Sequence, residues 1–119
     1  MTEDTKRDLV YVLHILDSID ATEDFLRNAT EREFMSSRLK QSAVVREIEI
    51  IGEAVKNISS KIKDKHAEVN WKDIVGTRDN MIHHYFGVDL TIVWNIVKLD
   101  LPKLKKDILF IKKELIALK

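Results

Sequence analysis

The chain has 119 residues, with 20 basic and 20 acidic side chains and a formal net charge of zero. It contains no cysteine, 3 glycines and 1 proline, which excludes disulfides, thiolate metal sites and a cysteine nucleophile and leaves little turn chemistry to oppose helix. A neutral balance argues against a general nucleic-acid coat, which needs a basic excess, but leaves room for an enzyme that grips a few phosphates locally and opposes self-association less than usual.

The length suits one domain spanning 1–119, large enough to bury a core. No apolar run is long enough to cross a bilayer, and the first residues lack the charged-then-apolar build of a signal peptide, so a soluble cytoplasmic protein with no membrane partner is expected.

The first predicted helix covers roughly Asp4 to Asn28, with Leu9, Val12, Leu13, Leu16 and Ile19 on one face and Asp17, Asp20 and Asp24 along another. The three carboxylates read as a solvated face, and His14, one turn before Asp17, as part of an exposed helix pair. Thr30 followed three residues later by Glu33 is a capping-box pattern that opens a short helical turn to Phe34 or Met35.

Ser36 and Ser37 then lead into a long helix from about Arg38 to Ile62. Val44, Ile48, Ile51, Val55, Ile58 and Ile62 recur along it at steps of four and three, the seam a helix needs to pack on another for several turns. Val45, Ile50 and Ala54 widen the stripe, enough for the bundle to cover one side and a partner chain the other. Gly52, mid-helix, points to close approach of another helix. His66 reads as part of the basic helix end Lys61–His66.

Asn70 is a candidate N-cap for a helix from about Trp71 to Phe86 that buries Trp71, Ile74, Val75, Ile82 and Phe86. After Gly87, Asp89 caps a further helix with Leu90, Val93, Trp94 and Val97 inward, and Pro102 forces a kink or restart near Asp100. The last piece, Lys103 to Lys119, keeps Leu104, Ile108, Ile111 and Leu115 on one face and lysines on the other. The whole predicts an all-α, up-and-down bundle of four to five main helices.

Chemistry concentrates in one stretch. Arg78, Asp79, Asn80, His83, His84 and Tyr85 fall within eight residues bounded by Gly76 and Gly87. Histidine moves protons near neutral pH, and arginine offers a planar fork of donors to phosphate oxygens and developing charge. RNA carries its own 2′-hydroxyl nucleophile, so neither a metal nor a cofactor is required. Tyr85 can stack on a base, donate a hydrogen bond or be modified, and Asp79, four residues before His83, can orient that ring. On a straight helix, however, His83 points about 140° away from Arg78 and about 7.5 Å along the axis. Either Arg78 bends into a shared cleft or two copies of the motif face one another across a twofold axis. Residue types alone leave an ordinary helix, with Arg78 paired to a glutamate of the long helix, ahead of a catalytic one. His83 and His84 do not form a metal pair, because adjacent helical residues diverge by about 100° and no H-E-x-x-H pattern exists.

Arg78, four residues, His83, one residue and Tyr85 form an R-x4-H-x-Y pattern that resembles the HepT-like toxins of the HEPN ribonuclease superfamily. The resemblance extends through Glu49-Ile50-Ile51-Gly52-Glu53-Ala54, Trp71-Lys72-Asp73-Ile74-Val75-Gly76, Tyr85-Phe86-Gly87-Val88-Asp89, Ile92-Val93-Trp94 and Asp100-Leu101-Pro102, covering about Asp8 to Leu104. It implies a homodimer with a composite cleft and a metal-independent endoribonuclease, cleaving RNA such as tRNA. Arg78 and His83 would be the catalytic pair, and Asp79 and Tyr85 supporting residues. It further implies a cognate minimal nucleotidyltransferase antitoxin, MntA-like, that attaches AMP to Tyr85. His84, a second histidine at the variable position, departs mildly from the pattern, and the spacing to Tyr85 favours His83. A second reading keeps the partner and drops the catalysis: a helical adaptor that binds the nucleotidyltransferase, its motif serving the dimer interface.

Overall fold

Apolar residues at helical spacing, with few breakers between them, give a chain in which every described element is helical. A computed structural model describes residues 2–76 and 89–118. In chain order these form α1 (Glu3–Phe25), α2 (Glu31–Met35), α3 (Arg38–Asn57) and α4 (Ser60–Lys65). They continue with α5 (described over 71–76), α6 (Leu90–Asn95), a wide π-helical turn (Ile96–Asp100) and α7 (Leu101–Ala117). Among the described residues α1, α3 and α7 are the long helices of an all-α fold. None of them is long and apolar enough to cross a membrane.

α1 lies against both α3 and α7, and the core is where their stripes meet. Val12, Ile15, Leu16 and Ile19 of α1, Val44, Ile48, Ile51 and Val55 of α3, and Leu104, Ile108, Ile111 and Leu115 of α7 are all buried. Each such side chain stabilises the fold by about 1.5–3 kcal/mol relative to an exposed position. The predicted stripe of α1 was a few tens of degrees off. Leu13 is 42% exposed and Ile15 fully buried, because α3 and α7 together cover the side centred on Val12, Ile15 and Ile19.

The short elements behave as their caps dictate. Thr30 Oγ1 accepts the Glu33 amide at 3.1 Å, Ser37 Oγ the Lys40 amide at 3.2 Å, and Asp89 Oδ1 the Thr91 amide at 2.9 Å. Phe34 of α2 is fully buried and packs on Trp94 of α6, with ring centroids 5.6 Å apart. Asp17, Asp20 and Asp24 are exposed, as a solvated face requires. Asp20 pairs with Lys105 of α7 and Asp24 with Arg27. His14 is exposed as expected, but it meets Tyr11 edge-on at 6.1 Å.

The long helix does not run to Ile62. It ends at Asn57, Ile58 is extended, and a new helix begins at Ser60. The seam continues in phase through the break, since Ile58 and Ile62 are both buried, so the hydrophobic pattern carries no sign of it. The cause is fifty-one residues away in the chain. Asp8, 3% exposed on α1, accepts the Ser59 amide at 2.8 Å and the Ser59 hydroxyl at 2.6 Å. Ser59 Oγ in turn accepts the Ile62 amide at 3.4 Å and caps α4. A buried carboxylate with two such donors holds the backbone of Ser59 out of helix.

A second acid is only partly buried, and less comfortably. Desolvation and then the nearby Asp17 charge raise the Glu47 carboxyl above its usual range, only partly countered by a hydrogen bond with Ser18 and by Arg46.

Two stability predictions follow from these acids. Asp8→Ala should lower the unfolding free energy by about 2–4 kcal/mol, read as a drop in the urea midpoint; an unchanged midpoint would refute the role given to this carboxylate. For Glu47, a folded-state pKa above the ordinary 4.5 means that stability is lost as pH rises from that value through the raised one. Removing the repelling neighbour with Asp17→Asn should therefore add on the order of 0.3 kcal/mol at neutral pH, and the gain in Tm should vanish below the carboxylate range.

Candidate functional site

Arg78, Asp79, His83, His84 and Tyr85 lie outside the described residues, so the structure defines the frame that carries the motif and not the motif's own geometry. The described chain enters that stretch from α5 and resumes after it at Asp89.

At the entrance, the chain between α4 and α5 is built around His66. Its amide donates to the Ile62 carbonyl at 3.0 Å and closes α4. Its carbonyl accepts two donors, the Val69 amide at 3.1 Å and the Trp71 indole Nε1–H at 3.0 Å. Trp71, the first residue of α5, is 8% exposed. The His66 ring is also buried, at 5% exposure, which corrects its reading as part of a solvated basic end. Nε2 lies 2.7 Å from Glu114 of α7, Nδ1 lies 3.5 Å from Glu68, and the ring meets Phe110 edge-on at 6.0 Å. The periodicity of α4 placed His66 near an exposed end; only the docking of α7 encloses it.

Asn70 precedes α5 as expected, and its side-chain amide donates to the Asp73 carboxylate. The helix is entered through the Asn70 carbonyl, which accepts the Ile74 amide at 3.3 Å. Gly76 is not imposed by crowding, since a Cβ there would meet nothing within 4 Å. Gly52 on α3 is buried.

The exit is fixed from the other side. Asp89 caps α6, Val93 is 1% exposed, and Trp94 lies between Phe34 and the ammonium of Lys98, 4.7 Å from the ring centroid. The helical path then widens at Ile96–Asp100 and continues into α7 with Pro102 in its first turn. The restart expected at Pro102 is thus made without leaving helical backbone, because a π-helical turn takes up one residue and relieves the ring clash.

Between α3, α5 and the π-helical turn lies a half-open cavity of about 220 Å³. Ile48, Ile51, Ile74 and Leu104 line it together with the carboxylates of Asp73 and Asp100. A groove of about 210 Å³ on the outer side of α1 and α3 carries Tyr11, His14, Arg46, Glu49 and Glu53. Its residues belong in part to the long-helix segment Glu49–Ala54 singled out in the sequence. Among the described residues no group of three or more His, Asp or Glu side chains is arranged to hold a metal ion.

The model of the family described as Ribonuclease HepT-like matches residues 15–111. Over 97% of its length the chain is 45% identical to the Methanocaldococcus jannaschii protein named "Gamma-glutamylcyclotransferase and putative RNase MJ0434", of which it spans half. It is 39% identical over 87% of its length to "Putative RNase MJ1380" of the same organism, of which it covers 96%. It is 42% identical over 80% of its length to "Probable ribonuclease HepT" of Thermococcus cleftensis, of which it covers 86%. No solved structure matches it at a significant level. The chain belongs to the HepT-like ribonuclease family.

Proposed function

We propose that this chain is a metal-independent endoribonuclease toxin whose catalytic pair is Arg78 and His83. The observation that carries the reading is the family match over residues 15–111, which spans the whole R-x4-H-x-Y motif, together with relatives of similar length that bear ribonuclease names. His83 takes the proton of a ribose 2′-hydroxyl or delivers one to the leaving 5′-oxygen, and Arg78 holds the phosphate and meets the charge that develops on it. Asp79 orients His83. Two chains face one another, so that each composite cleft draws on both motifs and the geometric obstacle on a single straight helix disappears.

Tyr85 is the control point. A cognate nucleotidyltransferase transfers the AMP moiety of ATP to its hydroxyl, the phenolic oxygen bonding the α-phosphorus as it loses its proton and pyrophosphate leaves, which places bulk and a phosphate charge where the RNA backbone would sit. The substrate is cytoplasmic RNA, tRNA included. The described surface suits a local grip better than a coating one, because its lysines are in part already paired; Lys105, for example, sits 3.1 Å from both Asp20 and Glu23.

In EDTA, the purified chain should cleave RNA, and His83→Ala or Arg78→Ala should reduce the rate by at least about 100-fold with the fold intact by circular dichroism. Equal cutting by wild type and His83→Ala would end the assignment. In solution the chain should have the mass of two copies at micromolar concentration; a monomer would remove the composite cleft. With ATP and a minimal nucleotidyltransferase antitoxin, label should enter wild type but not Tyr85→Phe, and label retained by that variant would place the modification elsewhere.

A further inference from the structure

We infer that His66 is a positioning residue for the motif-bearing segment, coupling its orientation to α7 through Glu114. The inference rests on the ribonuclease reading above for its catalytic consequence, but its structural half stands on described residues alone.

A histidine at the end of a six-residue helix would ordinarily lie in solvent. Here both faces of residue 66 are engaged. The ring is held from α7 by the carboxylate of Glu114 at 2.7 Å and by the edge of Phe110, and from its own loop by Glu68 at 3.5 Å. The carbonyl of the same residue receives the Trp71 indole at 3.0 Å and the Val69 amide at 3.1 Å. Trp71 is the first residue of α5, and its own amide donates back to the Val69 carbonyl at 2.9 Å. The path from α7 to α5 therefore runs from Glu114 to the His66 ring, through the covalent frame of His66 to its carbonyl, and on to the Trp71 indole, with both non-covalent links at hydrogen-bond distance. Glu114 does not depend on His66 for its only partner, because Lys65 lies 3.6 Å from the same oxygen. His66 can thus be replaced without leaving the Glu114 carboxylate unpaired.

The leverage is large compared with what catalysis tolerates. Arg78 follows Trp71 by seven residues, a helical rise of about 10 Å along the helix that the sequence predicts. Over that arm a tilt of about 6° at Trp71 moves the far end by roughly 1 Å, and displacements of that size cost up to about 100-fold in rate. Loss of one anchoring hydrogen bond, a modest contribution to net stability, would thus be felt far more in turnover than in folding.

The test compares wild type, Glu114→Ala, Glu114→Gln and His66→Phe in the full chain. Segment-resolved hydrogen exchange should show faster exchange across residues 67–88 in Glu114→Ala and His66→Phe, with α1 unchanged. Glu114→Gln, whose amide oxygen still accepts from Nε2–H, should restore wild-type protection. In RNA cleavage Glu114→Ala and His66→Phe should lose at least about tenfold in kcat with KM within twofold, and Glu114→Gln should retain most of its rate. Unchanged exchange over 67–88, or faster exchange spread equally over α1 and α7, would overturn the anchor. Altered exchange with wild-type kcat would overturn its role in the reaction. Because exchange needs no substrate, a wild type that cuts no RNA refutes the ribonuclease reading and leaves the anchor to be decided by exchange.

Discussion

The carboxylate of Asp8 is the constraint on which the arrangement turns. By accepting both the amide and the hydroxyl of Ser59, it stops α3 after Asn57 and starts α4 in a new direction. Were α3 to run on to Ile62, as its seam invites, the residues that follow would leave the bundle on a different heading. The loop containing His66 could then not reach α7. Two consecutive polar contacts, Asp8 with Ser59 and His66 with Glu114, thus convert a generic three-helix core into a frame that delivers α5 to a defined place. The first acts between α1 and the α3–α4 junction and the second between α7 and the α4–α5 junction, so each long helix of the core holds one end of the connection.

Helix periodicity carried most of the architecture. The stripes on α3 and α7 are buried as their three-and-four spacing requires, and Thr30, Ser37 and Asp89 cap where their side-chain chemistry says they should. What periodicity could not convey were contacts made between residues distant in sequence. Ile58 and Ile62 keep the α3 rhythm on both sides of a break, so nothing local betrays that break. His66 looked solvated because its neighbours Lys63, Asp64 and Lys65 are polar, and only α7, almost fifty residues later, encloses it. Leu13 and Ile15 exchanged places for a similar reason: which edge of an amphipathic face is covered depends on how two other helices share it.

For the candidate site the position is reversed. The residue types from Arg78 to Tyr85 suggested phosphate chemistry without outweighing an ordinary helix, and the flanking segments supplied the family. The described structure adds the supports of that stretch: Trp71 seated under His66, and Asp89 fixing the start of α6. Membership of the HepT-like ribonuclease family goes with a formal charge of zero, which supplies no basic excess for a phosphate-coating surface.

The π-helical turn at Ile96–Asp100 has a consequence for how this chain can change length. Buried positions there run Val93, Val97, Leu101 and then Leu104, two steps of four before a step of three. On a regular helix two steps of four overshoot by about 80° and would carry Leu101 toward the rim of the stripe. The wide turn absorbs that phase error, so α6 and α7 present one continuous buried edge. A single-residue deletion within the turn could therefore be accommodated as ordinary helix on the α7 side, where the core is large, while α6 rotated as a unit. The turn is a phase joint: sequence drift in the second half of the molecule would be expressed as a rotation of Asp89 about the helix axis before it was expressed as damage to the core.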